Sequence, residues 1–224
     1  MHSNVKLIVY HCLGIVLSTV ALFILSPMDK TASPVERTSL VACFLLIFEP
    51  IKVLAVGFIG YKGRERDKSP LAVLWDKSYV SKNLSHLALS LLCLTITVTF
   101  VILSLGGPLV NDLDQTFFLA LSITFISVLP ILVTESSSSS LSLSSFLVRV
   151  INFLFSSSTK LSQWDSSFAM NLKLISLFSW FGAFLLKLDW IVPWKIYPIT
   201  SLMASLYGYL VASLVNIVLI SVRF

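Results

Sequence analysis

The sequence predicts an all-α integral membrane fold: a bundle of six transmembrane helices with short loops, forming a single polytopic domain over residues 1–224. Three observations predict it. Only 12% of the residues are charged, against roughly 25% in soluble domains, and mean hydropathy is +0.92. The apolar residues gather in blocks of about 18 to 22, long enough to cross a hydrocarbon core of about 30 Å as helix. The blocks are continuous, whereas a membrane barrel shows alternating segments of about 10 residues. Helices and closed barrels are the only spanning options, because backbone groups find no water partner in lipid.

The first span is expected at about Val5 to Leu25. The apolar stretch from Leu7 exceeds the roughly 7–15 residues of a secretory signal core, so it reads as a retained span. Pro27, Asp29, Lys30, Pro34, Glu36 and Arg37 then break the pattern. Span two, about Ser39 to Tyr61, carries Glu49, Pro50 and Lys52, and a charged loop from Lys62 to Lys82 follows. Span three is about Leu84 to Leu105, stopped by Gly106-Gly107-Pro108, since glycine permits the turn and proline cannot continue a helix. Span four is about Thr116 to Val133, span five about Phe168 to Leu188 and span six about Ile199 to Val222. A serine-rich stretch, residues 135–145, reads as a flexible linker. Phe146 to Phe155 is apolar but too short to span and holds Arg149 and Asn152; an interfacial helix or an extension of a neighbouring span fits it.

Six spans place both termini and the loops after spans two and four on one side. That side holds ten Lys and Arg residues, Lys6, Lys62, Arg64, Arg66, Lys68, Lys77, Lys82, Arg149, Lys160 and Arg223. The other holds four, Lys30, Arg37, Lys187 and Lys195. Basic loops stay in the cytosol, so both termini are expected there. The Asn83-Leu84-Ser85 sequon then lies in the cytosol and is expected to be unmodified. The same topology accounts for the net charge of +5, so nucleic acid is not an expected partner. Cys12, Cys43 and Cys93 all fall within apolar blocks and show no metal-ligand spacing.

Catalytic machinery is sparse. His2, His11 and His86 all fall outside the three short non-cytosolic loops, whose acids therefore lack a histidine beside them. Nucleophile elbows and phosphate loops are absent. Asp112 and Asp114 offer a bare set for Mg²⁺, which needs few protein ligands, and with Asp189 they define one alternative, a self-sufficient lipid transferase. No cofactor is expected in this chain. Inside the membrane, Glu49 and Lys52 stand three apart on one helix face and can pair, and His11 is expected at comparable depth. Intramembrane charges mark function by default, so a second alternative is a transporter or lipid-handling protein using His11, Glu49 and Lys52; a neutralised structural pair explains them equally well. In span six, Ala204, Gly208, Ala212 and Asn216 recur every four residues as a stripe of small residues ending in a polar one. Such stripes allow close helix packing, either within the bundle or against a partner.

Two stretches carry a family resemblance. Gly106 to Pro130 contains Pro108, Leu109, Thr116 and Phe117, and the second stretch, about Phe181 to Val215, contains Leu188, Asp189, Trp190, Trp194, Pro198 and Ile199, with Gly208 and Tyr209 in the helix that follows. Together these are similar to the PIG-F family of glycosylphosphatidylinositol (GPI) anchor assembly, which carries a Gly-Ala-Pro-Leu motif and a Leu-Asp-Trp…Trp-Pro-Ile motif. The sequence departs from the pattern at Gly107, Gln115, Ile191, Val192, Lys195 and Tyr197. The resemblance implies a multi-pass protein of the endoplasmic reticulum membrane. It would be a non-catalytic stabilising subunit bound to a large catalytic GPI ethanolamine phosphate transferase among membrane lipids. Its interface candidates are Gly107, Pro108, Leu109, Asp189, Trp190, Pro193, Trp194 and Pro198 on a lumenal ridge, supported by Ala204, Gly208 and Ala212. Tryptophan is a favoured interface anchor, and prolines reduce the entropy lost on docking.

Overall fold

The computed structural model describes residues 2–26, 33–61, 77–105, 107–108, 112–136, 143–155, 162–186 and 196–222. Among these, every regular element is helical: α1 (His2–Leu25), α2 (Pro34–Tyr61), α3 (Lys77–Ser104), α4 (Leu113–Ser127), α5 (Leu129–Ser136), α6 (Leu143–Phe155), α7 (Gln163–Leu185) and α8 (Ile199–Val222). Four stretches within α1, α2, α7 and α8 are long and apolar enough to cross a membrane, and Ala88–Ser104 and Leu113–Ser127 are shorter apolar helices.

Local sequence sets several boundaries. At the start of α2, Ser33 N–H donates to Glu36 Oε2 at 2.7 Å and Glu36 N–H donates to Ser33 Oγ at 3.3 Å. This reciprocal pair satisfies two backbone donors that the first turn leaves free. Ser162 caps α7 in a similar way, accepting from Asp165 N–H at 3.1 Å and donating to Asp165 Oδ2 at 2.8 Å. That cap starts α7 five residues before the expected Phe168, because a Ser-x-x-Asp cap outweighs the polar residues of the first turn. The expected fourth span is divided into α4 and α5 at Val128. Pro130 has no N–H for the carbonyl of Ile126, and its ring crowds that turn. The chain nevertheless keeps its direction: Val128 N–H donates to Thr124 O at 2.8 Å and Leu132 N–H to Val128 O at 3.0 Å. Glu135 and Ser136 end α5 and Leu143 to Ser145 begin α6, so helix covers both margins of the serine-rich stretch.

The helices wrap around α8, which packs most extensively on α7 and then on α1; α2 lies against α1 and α4, and α3 sits outermost on α4. Two apolar cores stack along the bundle. One joins Leu7, Val56, Leu129, Phe153, Trp164, Phe168 and Ile220, near the end where α1 begins and α8 finishes. The other joins Ala21, Leu25, Val41, Leu119, Ile175, Leu202 and Leu206 near the opposite end.

Candidate functional site

The intramembrane charges meet where α1, α2 and α8 converge. Glu49 and Lys52 lie one helical turn apart on α2, both almost completely buried, and form an ion pair. Lys52 also donates to the phenolic oxygen of Tyr209 on α8. Its Nζ stands 4.4 Å from the Tyr10 ring centre and 4.9 Å from that of Tyr209. A carboxylate, a phenol oxygen and two electron-rich ring faces thus replace the water that the ammonium leaves behind. His11 is fully buried beside this group, with its ring edge-on to Tyr10 at 5.3 Å between centres. Tyr10 further packs edge-on against Trp164 and Phe168 of α7. The structure therefore brings together His11, Glu49 and Lys52, as their depths predict, and adds Tyr10 and Tyr209.

Gly14 makes this approach possible. A Cβ there would lie 2.7 Å from Tyr209 Oη and 3.1 Å from its Cζ. The tyrosine hydroxyl occupies the space a larger residue would fill, one turn along α1 from Tyr10. The junction retains unmet polarity: both ring nitrogens of His11, Glu49 Oε1 and Ser213 Oγ have no hydrogen-bond partner among the described residues.

The stripe on α8 turns inward onto α7. A Cβ on Gly182 of α7 would meet Ala204 Cβ at 2.6 Å and the Ser201 and Thr200 backbone at 2.9 Å. A Cβ on Gly208 would meet the Leu174 carbonyl oxygen and Phe178 Cβ, each at 2.8 Å. Ala212 is fully buried. Asn216 closes the seam, donating from Nδ2 to Asn171 Oδ1 at 3.0 Å and to the Ser167 carbonyl at 3.3 Å. Gly182 and Asn171 are the halves of this seam that lie outside the stripe's own periodicity.

The two motif stretches meet at the other end of the bundle. Thr116, the second residue after Asp114 on α4, shares a 2.8 Å hydrogen bond with the hydroxyl of Tyr197, just before α8. Gln115 Nε2 donates to Asp112 Oδ1 at 2.7 Å, and Thr116 N–H and Oγ1 both donate to the Asp112 carbonyl at 3.0 Å. Burial raises the Tyr197 phenol above its ordinary value; the bond with Thr116 opposes this and the Asp112 carboxylate adds to it. The hydroxyl therefore keeps its proton for that bond. Pro198 is buried, and its carbonyl accepts from Leu202 N–H at 3.0 Å. Gly107 N–H donates to Ile102 O at 3.0 Å and Pro108 follows, half-buried. Leu109, Asp189, Trp190, Pro193 and Trp194 lie outside the described residues. Among the described residues, no three His, Cys, Asp or Glu side chains gather as a metal-binding group.

A sequence model described as the GPI biosynthesis protein family Pig-F matches residues 7–217. A PIGF/3-ketodihydrosphingosine reductase fusion protein of Schizosaccharomyces pombe is 31% identical over 137 residues, covering 59% of this chain and 24% of that protein. A Mus musculus protein named GPI ethanolamine phosphate transferase, stabilizing subunit, is 30% identical over 125 residues, covering 55% of this chain and 51% of its own length. The aligned region thus spans 24% and 51% of the two relatives. No solved structure matches the chain.

Proposed function

The chain belongs to the Pig-F family of GPI biosynthesis proteins, and we propose that it is a non-catalytic, stabilising subunit of the endoplasmic reticulum complex that transfers ethanolamine phosphate to mannoses of the GPI precursor. The observation that carries this reading is the family match over residues 7–217, joined to the stabilising role in the name of the mouse relative. The partner would be a large catalytic membrane subunit, and this chain would contribute no cofactor.

In this reading α1, α2, α3, the broken pair α4–α5, α7 and α8 form six spans, with both termini cytosolic as the basic residues direct. The motif ends then face the lumen. The Thr116–Tyr197 hydrogen bond supports a single lumenal platform, because it ties the first motif to the second. We assign partner docking to the ridge Asp189, Trp190, Pro193, Trp194 and Pro198 beside Gly107-Pro108-Leu109. The α7–α8 seam holds together the two helices that flank residues 189–198 in the sequence. The Glu49–Lys52–His11 junction fastens α1 and α2 to α8; its burial on all sides favours this over a transport path.

Trp194→Ala, made alone and with Trp190→Ala, tests the docking role. The large partner should be lost from co-purification, the chain should still accumulate, and GPI precursors lacking ethanolamine phosphate should collect. Normal partner recovery rejects the ridge as the docking site. Loss of the chain itself assigns the tryptophans to packing, and lipid transport by the purified chain would favour the transporter reading.

A further inference from the structure

α6 is divided lengthwise into three strips. At about 100° per residue, positions 150, 153 and 154 share one arc, positions 148, 151 and 155 a second, and positions 145, 149 and 152 a third. The first arc faces protein: Phe153 is 3% exposed and Val150 and Leu154 pack against the same apolar core. The second arc is apolar and uncovered, with Val148 57%, Ile151 53% and Phe155 84% exposed. In the third, Asn152 is exposed, and the sequence places serine and arginine at its other two positions.

Three chemically distinct arcs call for three surroundings at once: protein, hydrocarbon and water. Those meet only along the line where the side of a bundle emerges from a bilayer. The level of α6 agrees. The core that receives Phe153 also holds Leu7 near the start of α1, Trp164 at the start of α7 and Ile220 near the end of α8. Thirteen residues reach about 20 Å, short of the roughly 30 Å hydrocarbon thickness, so α6 does not cross. A partner's spanning helix on the exposed arc would hold the neighbouring polar arc against hydrocarbon, which is costly.

We propose that α6 is an in-plane membrane-surface helix. Its Val148–Ile151–Phe155 arc takes the upper acyl chains of glycerophospholipids, while the Asn152 arc stands in the headgroup layer, on the side of the membrane that holds the start of α1. This is independent of the subunit role proposed above.

Spin-label accessibility in the full chain tests it. Cys12, Cys43 and Cys93, none of them buried, are replaced by serine, and one cysteine at a time is placed at 148, 151, 152, 153 or 155. The labelled chain is reconstituted into phosphatidylcholine–phosphatidylglycerol nanodiscs. Labels at 148, 151 and 155 should collide with oxygen severalfold more than with a water-soluble nickel chelate. Label 152 should show the reverse, and 153 should meet neither. Nickel access at 148, 151 and 155 would place the arc in water, and low access to both reagents there would place it under protein; either overturns the proposal. Labels at exposed positions leave the core intact, so these outcomes do not depend on tolerance at 153.

Discussion

Two buried seams hold α8, and they use opposite chemistry. The α7–α8 seam is steric: Gly182 and Gly208 let the backbones touch, and Asn216 meets Asn171 and a backbone carbonyl, while Asn171 Nδ2 and Ser201 Oγ keep no hydrogen-bond partner among the described residues. The junction with α1 and α2 is electrostatic: Lys52 gathers Glu49, Tyr209 and two ring faces, and here too His11 and Ser213 keep polar atoms without partners among the described residues. A membrane bundle gains little from burying apolar surface, since lipid is as apolar as its own core. Close backbone contact and polar pairing remain as the forces that choose neighbours, and this protein assigns one to each side of α8.

The largest expected effect comes from breaking the charged junction unevenly. Glu49→Gln leaves Lys52 buried beside phenols alone, and removing one partner of a buried pair costs about 3–5 kcal/mol. Lys52→Met strands the carboxylate in the same way. The double variant should retain more protein than either single one. Steady-state level and thermal stability of all three in detergent check this; a double variant as depleted as the two singles combined would show that the charges act separately.

The steric seam should yield next. Gly208→Leu must push back the Leu174 carbonyl and Phe178, and Gly182→Leu must displace the Ala204 and Ser201 region. Overpacking costs typically about 1–3 kcal/mol, with more where backbone blocks relief. Both variants should lower chain level itself, whatever partner is present. Gly208→Leu that accumulates normally yet loses the proposed catalytic partner would instead make this face a docking surface.

The smallest effect is expected at Asn216. Asn216→Leu removes the hydrogen bond to Asn171 and leaves that amide buried, at a cost of about 1 kcal/mol by the scale of interhelical bonds in membranes. The measurement is thermal unfolding in detergent, with Asn216→Leu combined with Asn171→Leu recovering part of the loss. A loss as large as that of Glu49→Gln would erase the distinction between the two seams.

The fold was largely legible before the structure, for a physical reason. Length and unbroken apolarity suffice to mark α1, α2, α7 and α8, because a helix must satisfy its own backbone in lipid. The Ser162–Asp165 cap was visible in the sequence too, and a reading for caps rather than hydropathy would have started α7 correctly. The pairing of Glu49 with Lys52 followed from their spacing on one helix. Tyr10 and Tyr209 were missed as partners of that pair, since an aromatic residue in an apolar block carries no mark of what it faces.

By itself, then, the sequence determined the helical class, the four long apolar segments, the family motifs and the face of α8 that carries small residues. Only the tertiary structure decided that this face meets α7, that Lys52 lies between Tyr10 and Tyr209, and that Thr116 meets Tyr197 across 81 positions of chain. Hydropathy could not decide these, because a residue facing lipid and a residue facing a neighbouring helix are apolar alike. The choice between them rests on where a glycine leaves room and where a polar atom finds its mate, and both are properties of helices already side by side.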